Sequence, residues 1–187
     1  MKKVGLIFVS ISALLLGACG NSTASEDGKL NLVTTFYPAF EFTKQVAGDE
    51  ANVDLLVKAG TEVHDYEPSA KDIARIQEAD VFVYENKNME TWVHDVEESI
   101  DTSKVSVIRA TEGMLLLPGS EEVEDHDQSE EGHSHPYDPH VWLSPARAIT
   151  LVETIRDSLV AKYPETKDTF ETNAAAYIEN LDALDTK

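Results

Sequence analysis

Of the side chains in this 187-residue sequence, the histidines are the ones best suited to chemistry. His64 lies in Gly60-Thr61-Glu62-Val63-His64-Asp65-Tyr66-Glu67-Pro68, and His140 in Tyr137-Asp138-Pro139-His140-Val141-Trp142-Leu143-Ser144-Pro145. Gly60 and Pro68 punctuate the first segment and Pro139 and Pro145 the second, so each reads as a loop that leads into a helix. Two imidazoles held on loops suit a borderline divalent metal such as zinc; the alternative is a pair of surface or cap-associated histidines. Three more, His126, His133 and His135, sit among carboxylates in Asp125-His126-Asp127 and His133-Ser134-His135. Nitrogen and anionic oxygen on a flexible chain can offer zinc ligands without a fixed geometry, although such a stretch can equally be a solvated acidic loop. His94, between Val93 and Asp95, reads as a surface residue or the partner of a nearby carboxylate. Signatures of enzymes are missing from the sequence: there is no Gly-x-Ser-x-Gly elbow, no phosphate-cradling glycine loop and no His-Glu-x-x-His helix.

The elements that must position these groups alternate between two periods. Apolar runs at Leu30–Thr34, Val53–Val57, Val81–Tyr84 and Val105–Ile108 predict four strands. Between them, Ala39, Phe42 and Val46 share a helical face that Gly48 ends. Ser69 with Asp72 resembles a capping box, and Met89, Trp92, Val93, Val96 and Ile100 repeat at helical spacing. Strands alternating with helices predict an α/β fold, a parallel sheet flanked by helices, whose strand ends carry the binding loops. After the fourth strand, residues 120–138 hold eight acids and no Lys or Arg, and read as a mobile surface loop. Ser144-Pro145 then opens a helix with the stripe Ala148, Leu151, Val152, Ile155 and Leu159, and Pro164 closes it. A last stripe, Phe170, Ala174, Tyr177, Leu181 and Leu184, runs to the final Lys187 with no stop signal, so the natural protein is expected to continue.

The N-terminus reads as an address. Lys2 and Lys3 precede an uncharged run from Val4 to Ala18, too short for a transmembrane helix and shaped like a secretory signal. Leu16-Gly17-Ala18-Cys19 resembles a bacterial lipobox. It places the sole cysteine, Cys19, where a diacylglyceryl group is attached and leaves no thiol for a disulfide or a nucleophile. The formal charge of −20 argues against nucleic-acid binding, because no basic face is available for phosphates. Removing residues 1–18 takes two lysines away and makes the chain more acidic.

Gly60, His64 and Pro68, the run Asp138–Pro145, and Gln77-Glu78-Ala79-Asp80-Val81-Phe82-Val83-Tyr84 resemble the substrate-binding lipoproteins of metal ABC importers. This is the zinc and manganese uptake family that includes adhesin-type surface lipoproteins, and the resemblance runs from about Leu30 to the end of the chain. It implies two α/β lobes joined by a long helix, with metal in the cleft between them. Residues 1–18 would then be the signal peptide and 19–29 the lipidated Cys19 with its tether. Residues 30–164 would form the N-terminal metal-binding lobe and 165–187 the start of the inter-lobe helix, with the second lobe absent from this chain. It also implies that His64 and His140 are the two metal ligands of the first lobe, while a third His and a carboxylate come from the second. An acidic, His-containing insertion before the second ligand points to the Zn²⁺ branch rather than the Mn²⁺ branch. The expected role is a non-enzymatic receptor, lipid-anchored to the outer face of the bacterial cell membrane, that passes zinc to an integral-membrane permease. The rivals are a manganese receptor, a surface adhesion lipoprotein, and a zinc hydrolase using Glu62 or Asp65 as its base.

Overall fold

The computed structural model describes residues 28–119 and 137–186. The signal segment, Cys19 and most of its tether, and His126, His133 and His135 with most of the acidic loop lie outside the described residues.

Four strands form one parallel sheet: β1 (Leu30–Thr34), β2 (Ala51–Leu55), β3 (Val81–Tyr84) and β4 (Ser106–Arg109), in the order β2-β1-β3-β4. Among the described residues five α-helices alternate with or follow them: α1 (Tyr37–Ala47), α2 (Ala70–Glu78), α3 (Val93–Ser99), α4 (Pro145–Lys162) and α5 (Lys167–Asp185). All four residues of the central β3 are buried, as expected for a strand covered on both faces. Its side chains alternate. Val81 and Val83 join Leu32, Phe42, Val46, Leu151, Ile155 and Phe170 on the side of α1, α4 and α5, whereas Phe82 and Tyr84 join Ile76, Trp92, Val93 and Val96 on the side of α2 and α3. The edge strand β2 alternates between covered and exposed residues instead. The chain leaves β1 through α1 to β2 on one side and then returns to β3 on the other. The switch point of the sheet therefore lies between the carboxyl ends of β1 and β3, where an open α/β sheet opens its binding crevice.

Local signals account for most boundaries. Pro38 occupies the first turn of α1, and Gly48 ends the helix at φ 55° with its N–H donated to the Lys44 carbonyl. Ser69 and Asp72 form a reciprocal capping box on α2, each side chain accepting the other residue's N–H. The stripes expected after Pro145 and Phe170 are buried at Ala148, Leu151, Val152, Ile155 and Leu159, and at Phe170, Ala174 and Leu181, where the two helices pack together.

Three expectations shift, the smallest being β4, which runs over Ser106–Arg109 rather than Val105–Ile108. β2 begins at Ala51 because Leu30–Thr34 pairs in register with Ala51–Leu55. Leu56 and Val57 continue that alignment only as loop amides donated to the Thr34 and Thr35 carbonyls, at 3.0 and 2.8 Å. The third helix covers only Val93–Ser99, although Met89 and Trp92 are buried as the stripe required. Side chains compete for the backbone just before it. Asn86 Oδ1 accepts the N–H of Asn88 and of Met89, each at 3.0 Å, and Glu90 accepts the N–H of Glu85 and of Asn86, so residues 85–90 fold into a turn.

Candidate metal centre

Both candidate ligands stand at the carboxyl end of the sheet on a shared apolar footing. Phe36, Ala39, Val57 and Met89 form a small buried cluster, and Val63, Tyr66 and Trp142 pack against it. Val63 immediately precedes His64, and Trp142 follows His140 by two residues, so burying this cluster brings the two loops together. Trp142 meets Phe36 edge-on at 5.0 Å between ring centroids and lies 5.3 Å from the His140 ring, forming a wall of the site. Tyr66 packs against the same cluster: its ring contacts Trp92 at 5.7 Å, and burial together with the nearby Asp72 carboxylate pushes its phenol up to about 12.

The His64 and His140 rings lie 5.6 Å apart, centroid to centroid, at an interplanar angle of 66°. Zinc–nitrogen bonds of about 2.0–2.1 Å at a tetrahedral angle place two imidazole centroids roughly 5 Å apart. The observed centroid separation is close to that value. His64 is partly buried, and its loop is clamped by Glu62, whose Oε1 accepts the N–H of Val63 at 3.0 Å and of His64 at 3.3 Å. Gly60, at φ 87°, makes the turn that starts this loop.

His140 is oriented by a neighbouring residue. Asp138 Oδ1 accepts the His140 backbone N–H at 2.9 Å and lies 2.9 Å from its Nδ1. These hydrogen bonds, the backbone one foremost, hold the Asp138 carboxyl below the usual carboxylate range. An ionised Asp138 accepts the Nδ1 proton, which fixes the tautomer and leaves Nε2 to donate a lone pair to a metal. The sequence motif contains Asp138, but its orienting role was not read from it; a carboxylate two residues before a loop histidine is the signal that could have identified it. A cavity of 270 Å³ beside the pair is lined by Leu117, Asp138, His140, Val141, Leu143, Ser144 and Arg147. His140 is in its wall and His64 is not, so the pair stands at its rim.

Among the described residues no group of three or more His, Cys, Asp or Glu side chains gathers as a metal cage. Two imidazoles alone could fill two of the four positions of a tetrahedral shell. His94 is exposed on α3, 3.6 Å from Glu98, as its sequence context suggested. The acidic segment leaves and rejoins the fold beside the pair. Pro118 and Tyr137 form an antiparallel bridge, and the Asp138 N–H donates to the Leu117 carbonyl at 2.9 Å.

Sequence reasoning also missed a buried polar cluster at the end of β3. Glu85, Asn86 and Glu90 are at most 2 % exposed, which is unusual for side chains of their polarity. Burial and the neighbouring Glu90 push the Glu85 carboxyl up to about 10; burial also raises Glu90, against the hydrogen bonds that favour its ionised form. Two acids directly following or near a fully apolar strand were the available signal.

Comparison with known proteins gives the family. Residues 32–187 match the family described as zinc-uptake complex component A, periplasmic (ZnuA). The zinc-binding lipoprotein AdcA of Streptococcus pneumoniae is 66 % identical over 186 residues, covering 99 % of this chain and 37 % of that protein. The high-affinity zinc uptake system protein ZnuA of Bacillus subtilis is 46 % identical over 190 residues, covering 98 % of this chain and 60 % of that one. The crystal structure of the Zn(II)-bound ZnuA-like domain of S. pneumoniae AdcA superposes with a TM-score of 0.75 at 62 % identity, covering 85 % of this chain and 54 % of that chain. The chain thus spans less than two thirds of the length of each.

Proposed function

We propose, because the chain belongs to the zinc-uptake complex component A family, that it forms the first lobe of a receptor that captures Zn²⁺ outside the cytoplasm and delivers it to the permease of an ABC importer. The observation that carries this reading is the His64–His140 pair, 5.6 Å apart on two loops at the switch point of the sheet. Neutral imidazoles would bind the ion, His140 through Nε2, with Asp138 holding the opposite ring nitrogen. The rest of the shell would come from a second lobe, a third His and a carboxylate by family resemblance, and α5 would begin the helix that joins the lobes. Zinc is favoured over manganese by the names of the relatives and by the nitrogen ligands.

Three further parts of this reading come from the sequence. Cys19 would carry the lipid that anchors the receptor to the outer face of the membrane. Residues 1–18 would be removed on export, and 19–29 would tether the lobe. His126, His133 and His135 would collect zinc for the site, since both ends of their segment adjoin Asp138 and His140. Catalysis is not part of the reading. Glu62, one of the two candidate bases with Asp65, has its Oε1 accepting backbone N–H groups.

The test is zinc affinity measured by competition with a chelator. Losing a hydrogen-bond partner of a metal ligand costs about 10–100-fold in affinity, so losing the ligand itself costs at least as much. His64→Ala and His140→Ala should each weaken binding by about a hundredfold or more, and His94→Ala should not. Wild-type affinity in either of the first two removes the site.

A further inference from the structure

The buried cluster at the end of β3 reaches the His140 arm through one side chain. Glu90 Oε1 accepts the Thr35 hydroxyl at 2.6 Å and the Glu85 N–H at 2.9 Å, and its Oε2 accepts the Asn86 N–H at 2.9 Å. The Glu85 carbonyl accepts the Thr111 hydroxyl at 2.8 Å. The residues that follow β1, β3 and β4 are thereby tied into one rigid group. Asn86 is then fixed twice, by its own N–H on Glu90 and by its Oδ1, which accepts the N–H of Asn88 and of Met89. Its Nδ2 donates to the Pro139 carbonyl at 3.3 Å and to Glu85 Oε1 at 3.4 Å, both buried contacts.

We propose that Asn86 is a positioning residue for zinc capture: through the Pro139 carbonyl, its side-chain amide fixes where His140 presents its ring. This rests on the reading of His140 as a zinc ligand. Pro139 has no N–H, so its carbonyl is the only backbone group through which it can be held by hydrogen bonds. That carbonyl also accepts the Val141 N–H at 2.9 Å, which makes it the pivot of the turn containing His140. His140 and Asp138 are themselves exposed, and their mutual hydrogen bonds orient the imidazole relative to the arm but not the arm relative to the sheet. Asn86 supplies that second constraint from a buried, pre-ordered base. A ligand misplaced by about 1 Å loses much of its value, which makes a supporting hydrogen bond consequential.

The experiment compares zinc affinity and amide hydrogen exchange in Asn86→Ala, Asn86→Asp, Thr111→Ala and His140→Ala variants of the full chain. Asn86→Asp keeps an acceptor for Asn88 and Met89 but replaces the amide donor by a carboxyl oxygen beside the buried Glu85, and Asn86→Ser serves if neither other Asn86 variant folds. Thr111→Ala removes a buried hydrogen bond from the same network without touching the arm, and so controls for a loss of stability. The folded Asn86 variants should lose about tenfold or more in zinc affinity. Without metal, their amides at Asp138 and Val141 should exchange faster relative to those of the α4 core. Thr111→Ala should stay within about twofold of wild type in affinity. Wild-type affinity in a folded Asn86 variant, or an equal loss in Thr111→Ala, overturns the positioning role. If His140→Ala itself binds like wild type, the ligand reading falls; if it fails while the Asn86 variants bind normally, only the positioning role falls.

Discussion

Glu85→Gln gives a test of the buried base of the site that needs no metal. Glu85 is 1 % exposed, Glu90 stands beside it, and its Oε2 has no hydrogen-bond partner among the described residues. A carboxylate there would be costly, so the group stays protonated well above the ordinary glutamate value of 4.5. Above pH 4.5 the unfolded chain releases this proton while the folded chain keeps it. The unfolded state then binds fewer protons, and this group removes stability as pH rises, by up to about 1.36 kcal/mol per unit. Between pH 5.5 and 8 the loss approaches about 3 kcal/mol. Glutamine has the same shape and never ionises. Glu90 titrates in both proteins and largely drops out of the difference. Urea denaturation in the presence of a chelator, at several pH values across this range, should show the variant gaining steadily on wild type as pH increases. A gap that stays constant within about 0.5 kcal/mol would refute the buried neutral acid.

Other outcomes follow from single contacts. Asp138→Ala should leave the fold intact and weaken zinc binding about tenfold, read by chelator competition, because the His140 Nδ1 proton loses its acceptor. Ser69→Ala should cost about 1 kcal/mol in urea denaturation by removing the capping box of α2. Gly48→Ala should cost more, about 1–3 kcal/mol in the same assay. Its φ of 55° disfavours a side chain, and a Cβ would stand 2.5 Å from Asn173 Nδ2, which donates to the Val46 carbonyl and ties α5 to α1.

Local chemistry made much of this fold legible in the sequence. The capping box at Ser69 and the stop at Gly48 act over a few residues and give the expected boundaries, and the stripe of α4 is buried as expected, whereas Leu184 of the α5 stripe is exposed. α3 was harder to delimit because burial has the same periodicity in a helix and in a compact turn. Met89 and Trp92 are buried at helical spacing, yet Asn86 and Glu90 bind the backbone there and delay the helix to Val93. The two histidines stood out by residue type and by motif. Asp138 and Asn86 did not, since what they do depends on where their polar atoms point. The acidity misled in one respect: a charge of −20 suggests solvated carboxylates, and two of the acids, Glu85 and Glu90, are buried beneath the site.

The central claim is that zinc is held by the imidazoles of His64 and His140. Nitrogen-resolved NMR of the six histidines during zinc titration measures this directly, because each ring nitrogen reports its own protonation and metal ligation. The first equivalent of zinc should move the ring nitrogens of His64 and His140, with His140 ligating through Nε2 and keeping its Nδ1 proton, and leave His94 unchanged. Zinc that fills His126, His133 and His135 while the resonances of His64 and His140 stay in place would contradict the account.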